Sequence, residues 1–91
     1  MLTKDKVDPR VHSKVDEWNR MKAEDPDRVI LMEISGFYEF YAEDADTMCA
    51  EFQVPTMGGT TDCTVFSGMP LISYEKYTKK LTACGYRFIV I

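Results

Sequence analysis

Residues 33–41 read EISGFYEFY, so four aromatic side chains and a carboxylate fill five consecutive positions directly after a glycine. In a strand, alternate residues share a face, which sends Phe37, Glu39 and Tyr41 one way and Tyr38 and Phe40 the other. One face is expected to be core; the other, with a charge among rings, is expected to be a half-exposed surface with a purpose. Immediately upstream, residues 28–34 (RVILMEI) form a continuous apolar run, rich in β-branched side chains and too short for most helices, as a buried strand requires. Ser35-Gly36 supplies the turn between the two, so the stretch reads as a hairpin.

Helices are legible on either side of that hairpin. Asp8-Pro9 reads as an N-cap with proline in the first turn, Val11, Val15, Trp18 and Met21 recur at helical spacing, and Asp25-Pro26 ends the pattern, predicting a helix near 9–24. After the hairpin, Ala45, Met48, Cys49 and Phe52 form one stripe, with acids in the first turn where the helix dipole favours them. Residues 53–70 hold two strand-like pieces around Gly58-Gly59, the first kept short or at an edge by Pro55. Ser73 is the expected cap of a third helix that buries Tyr74, Tyr77, Leu81 and Cys84, turns Lys76, Lys79 and Lys80 outward and stops at Gly85. The final YRFIVI is apolar on both faces and reads as a central strand. The order α-β-β-α-β-β-α-β predicts an α+β fold, a small mixed sheet flanked by three helices. Residues 1–91 are expected to form a single domain, with residues 1–8 flexible.

Composition narrows the function classes. At 91 residues and 45% apolar content the chain suits one core. It has no apolar run long enough to cross a membrane, and its charged start is unlike a secretory signal, so a cytoplasmic location is expected. Three cysteines and one histidine argue against a disulfide framework or a zinc site, and no metal or cofactor is expected. There is no Gly-x-x-x-x-Gly-Lys-Ser/Thr phosphate loop and no nucleophile–base arrangement, so neither an ATPase nor another enzyme is expected. The net charge of −4 is unevenly spread: residues 29–71 carry seven acids and no lysine or arginine. Such a block opposes strong binding to paired DNA, whose affinity rests on phosphate neutralisation.

Pro26-Asp27, Gly36-Phe37-Tyr38-Glu39-Phe40, Glu43-Asp44-Ala45, Gly68-Met69-Pro70 and Tyr77-x-x-Lys80-Leu81-x-x-x-Gly85-Tyr86 occur in an order and spacing that resemble the N-terminal mismatch-recognition domain, domain I, of MutS DNA mismatch-repair proteins. The resemblance runs along residues 14–91. It implies that Phe37 wedges into the duplex from the minor groove and stacks on a mispaired base, that Glu39 hydrogen-bonds that base, and that the partners are duplex DNA with a mismatch or unpaired base and the other domains of a larger MutS-like protein. The departures are also specific. Where the family has Arg-Met-Gly-Asp the chain has Glu33-Ile34-Ser35-Gly36, its basic residues after the second helix give way to Gly58-Gly59, and its Tyr-His becomes Leu71-Ile72.

Physical chemistry makes the wedge selective. Base–aromatic stacking is worth about 1–3 kcal/mol and unstacking a sound step costs a few, so the two nearly cancel on paired DNA. A mismatch is already poorly stacked, and there the balance favours insertion. A carboxylate near phosphates is repelled unless it is protonated or paired with a donor, which would make Glu39 a selective contact more than a source of affinity. Lys76, Lys79 and Lys80 are candidate phosphate contacts, although three charges on one small helix more often make a solvated face. The alternative to DNA recognition is a protein-interaction module that kept the fold and lost the DNA contacts, alone or fused in a phage or mobile-element protein. Cys63 is noted as a loop thiol with no activating neighbour in sequence.

Overall fold

The computed structural model describes residues 1–57 and 66–91. Residues 58–65, including the expected hairpin loop and Cys63, lie outside the described residues. Helix α1 (His12–Glu24) follows a 3-10 turn at Pro9–Val11, and β1 (Val29–Ile34) and β2 (Phe37–Tyr41) come next. Then follow α2 (Glu43–Phe52), β3 (Thr56–Met57), β4 (Phe66–Pro70), a 3-10 turn at Leu71–Ser73, α3 (Tyr74–Ala83) and β5 (Phe88–Val90). The fold is α+β, with strand order β3-β4-β2-β1-β5; β1 and β5 are parallel and the other neighbours antiparallel.

The apolar run of β1 is continuous because helices cover both sides of the sheet. Its residues alternate: Ile30, Met32 and Ile34 join Val11, Val15, Trp18 and Tyr41 in a core beneath α1. Val29 and Leu31 join Phe40, Met48, Phe52, Met69 and Leu81 in a second core beneath α2 and α3. Each strand face thus loses its apolar area to a separate helical layer, worth about 1.5–3 kcal/mol for every large side chain fully buried.

The N-terminal segment and one buried ion pair fix the layers. Residues 1–8, expected to be flexible, pack into the α1 core through Leu2 and Val7, and Asn19 exchanges two hydrogen bonds with the Leu2 backbone. One turn further along the same face of α1, Lys22 is buried and its Nζ donates to the Arg28 carbonyl at 2.6 Å and to Asp44 Oδ1 at 2.5 Å. Asp44 Oδ2 in turn accepts from the Ile30 backbone N–H at 3.0 Å, so one carboxylate ties α1, α2 and β1 together. Burial pushes the Asp44 carboxyl above its ordinary range, with Lys22 pulling the other way.

Four expectations are corrected by this packing. The final strand is at the edge of the sheet, not its centre: β5 pairs with β1 alone among the described strands, and its apolar content on both faces reflects the two helical layers. The Phe37–Glu39–Tyr41 face is not a half-exposed surface throughout, because the N-terminal segment and α1 close over its far end and bury Glu39 and Tyr41. In α3, Leu81 is buried but Tyr74 and Tyr77 are half-buried and Cys84 is exposed, since the helix ends at Ala83. No side-chain bond from Ser73 caps that helix. Its stop is as expected: Gly85 takes φ +83°, and the Tyr86 N–H returns to the Leu81 carbonyl.

Candidate nucleic-acid interface

Ser35 and Gly36 both have positive φ, 49° and 85°, the pattern of a tight two-residue hairpin turn whose twist matches its strands. The turn closes on the Ile34–Phe37 pair and so puts Phe37 at the very start of β2. Phe37 is 39% exposed and pairs across the sheet with Pro70 of β4. The Leu71 N–H donates to the Gly36 carbonyl at 3.2 Å, which draws the turn after β4 against the hairpin. Leu71 is 39% exposed and Ile72 is 92% exposed, so this end of the sheet presents an apolar ridge of Phe37, Leu71 and Ile72. Behind the ridge, on the other sheet face, the Tyr38 ring packs against Tyr74 at 5.3 Å between centroids.

Two residues further along β2 the chemistry changes from ring to charge. Glu39 is 3% exposed, yet both carboxylate oxygens have donors: the Tyr41 hydroxyl at 2.7 Å and Arg10 Nη2 at 3.4 Å. Arg10 is itself held by Asp8, whose Oδ1 accepts from the Arg10 backbone N–H at 2.9 Å and from Nε at 3.1 Å. The first of these bonds is the N-cap of the turn preceding α1, so the cap predicted from Asp8-Pro9 also aims the arginine. That backbone bond lowers the Asp8 carboxyl below its ordinary pKa, and the bond to Asp8 raises Arg10. Burial and the bond to Glu39 push the Tyr41 phenol far above its usual range, so it stays a donor.

The structure does not gather all the residues singled out in the sequence. Phe37 and Glu39 share the α1 side of β2. Lys76, Lys79 and Lys80 are all exposed on α3, which packs on the opposite side of the sheet. Lys79 pairs with Glu75 at 2.9 Å, and the ammonium groups of Lys76 and Lys80 sit 5.4 Å and 5.2 Å from the Tyr77 ring centre. Arg10 was not singled out, and Asp8 and Tyr41 were read only as a helix cap and a strand neighbour. Strand periodicity already put Tyr41 beside Glu39; the link to Arg10 spans 29 positions and had no local signal. Among the described residues no group of metal-ligating side chains could hold an ion, and no helix is long and apolar enough to cross a membrane.

Comparison with known proteins agrees with this architecture. Residues 13–91 match the family model described as MutS domain I. DNA mismatch repair protein MutS 1 of Halobacterium salinarum is 32% identical over 78 residues, covering 84% of this chain and 9% of the relative. DNA mismatch repair protein MutS of Thermus aquaticus is 30% identical over 67 residues, covering 71% of this chain and 8% of the relative. The chain thus spans less than a tenth of the length of these relatives, along a match that takes in the hairpin with Phe37 and Glu39 but leaves Asp8 and Arg10 outside the family model. With the family model matched over all but the first twelve residues, the chain belongs to the MutS domain I family.

Proposed function

We propose that this domain recognises mismatched or otherwise distorted duplex DNA as part of a MutS-like mismatch-repair protein, with Phe37 as the wedge. The observation that carries the reading is the exposed Phe37 ring, held at a rigid hairpin end next to Leu71 and Ile72. A wedge must be apolar, exposed and backed by something stiff, and the two-residue turn and the Tyr38–Tyr74 contact supply the backing. Glu39 does not enter as a free carboxylate. It is paired with Tyr41 and Arg10, which removes the repulsion that a bare carboxylate would meet between phosphates; a direct bond from Glu39 to a base requires Arg10 to swing aside. Lys76, Lys79 and Lys80 would serve as phosphate contacts only for DNA that also reaches the α3 side.

A second reading has its own observation. Residues 29–71 contain no lysine or arginine, and the ridge of Phe37, Leu71 and Ile72 is as fit for a protein partner as for a base step. Fluorescence anisotropy separates the two. Binding of a duplex with one G·T pair should exceed binding of its matched counterpart, and Phe37→Ala should erase the difference. Equal binding of the two duplexes by the unaltered protein would turn the assignment to a protein-interaction module.

A further inference from the structure

The strands that present Phe37 bring no positive charge of their own, yet a guanidinium lies on their surface. Arg10 reaches from outside the region matched by the family model to within 3.4 Å of Glu39, on the Phe37 side of β2. Alternate residues of a strand are about 6.5–7 Å apart, roughly two base steps of duplex DNA, so the Glu39 position that holds this guanidinium lies within two steps of the wedge. Asp8 and Glu39 grip it through Nε and Nη2, and Nη1 has no partner among the described residues. Its side chain remains 44% exposed. A gripped but half-exposed arginine is already oriented, so little side-chain entropy remains to be lost when its outer edge meets an acceptor.

We propose that Arg10 is a DNA contact, placing its guanidinium in the minor groove beside the step that Phe37 opens. This rests on the mismatch-recognition reading above. The minor groove presents acceptors on every base pair and a strongly negative potential where it narrows, both of which suit arginine. Glu39 then acts as a positioning residue: it holds the cation that DNA meets. Arg10 thereby brings a cationic donor to the Phe37 side of β2, where residues 29–71 supply no lysine or arginine.

The test measures binding of a G·T duplex and its matched counterpart from about 50 to 200 mM salt for the unaltered protein and for Arg10→Ala, Arg10→Gln and Phe37→Ala. Arg10→Ala should weaken mismatch binding roughly tenfold and reduce the slope of log K against log salt by about 0.9, the loss of one phosphate-neutralising charge. Arg10→Gln keeps an amide donor for Glu39 without the charge and should show the same fall in slope, and the fall should persist when Arg10→Gln is made in a Glu39→Gln background, where a role limited to neutralising Glu39 would leave the slope unmoved. If both Arg10 variants bind with unchanged slope and affinity while Phe37→Ala loses mismatch preference, the Arg10 inference is overturned and the wedge reading stands. If the unaltered protein shows no mismatch preference, both are overturned.

Discussion

Glu39 is the residue whose role the structure changes most, and its bond to Tyr41 is open to direct measurement. Tyr41→Phe keeps the ring, which is 1% exposed, and removes the hydroxyl that donates to Glu39 Oε1 at 2.7 Å. A hydrogen bond to a buried carboxylate contributes about 1.5–3 kcal/mol, and the alternative donor, Arg10 Nη2, is at 3.4 Å on the other oxygen. Tyr41→Phe should therefore cost about 1.5–3 kcal/mol in urea melts at pH 7 with little change in m value. Glu39→Leu removes the acceptor, and the double variant should cost less than the sum of the singles by a similar coupling energy. There is also a signature at alkaline pH. Because folding raises the Tyr41 pKa, the folded state keeps a proton that the unfolded chain loses above about pH 10; stability should fall beyond that pH in the wild type, and less so in Tyr41→Phe. A single-variant cost and a coupling both below about 0.5 kcal/mol would mean that the phenol does not hold the carboxylate, and Glu39 would be free to meet a base.

Breaking the other buried pair should be more damaging. Lys22→Met strands Asp44, 3% exposed, and should cost about 3–5 kcal/mol at neutral pH. Since the folded-state pKa of Asp44 is already raised and the carboxylate loses its cationic partner Lys22, that cost should shrink as pH falls towards about 4, which melts at pH 7 and pH 4.5 would show; a cost independent of pH would contradict the assignment. Phe40→Ala, at a fully buried position, should cost about 3–5 kcal/mol, against about 1–2 for Phe37→Ala at a partly exposed one. Equal costs in urea melts would mean that the two faces of β2 are assigned the wrong way round.

How far the sequence could be read depended on the range of the interaction. The hairpin was legible because strand alternation and a Ser-Gly turn are properties of neighbouring residues, and the structure has β1 and β2 joined there with both turn residues at positive φ. The α1 start was legible for the same reason: Asp8 caps its own turn. Alternation also put Glu39 with Phe37 and Tyr41 correctly, but it says only which residues share a face, not what covers it. The cover comes from Leu2, Val7 and Arg10, a segment whose charges masked its two buried apolar side chains. Apolar residues on both faces of β5 showed that helices lie on both sides of the sheet, which holds equally for an edge strand. Cys84 continued the helical stripe of α3 one step too far, because periodicity does not register that Gly85 has already ended the helix.

The central claim is that the Phe37 ring enters the base stack at a distorted step and not at a sound one. The most direct measurement is the fluorescence of 2-aminopurine placed next to a G·T pair or an unpaired base, titrated with the protein. Insertion of the ring unstacks the probe, so its emission should rise on the distorted duplex, stay flat when the probe lies in matched DNA, and stay flat on both with Phe37→Ala. A rise of the same size on matched DNA, or a rise on the distorted duplex that persists without the Phe37 ring, would contradict the account.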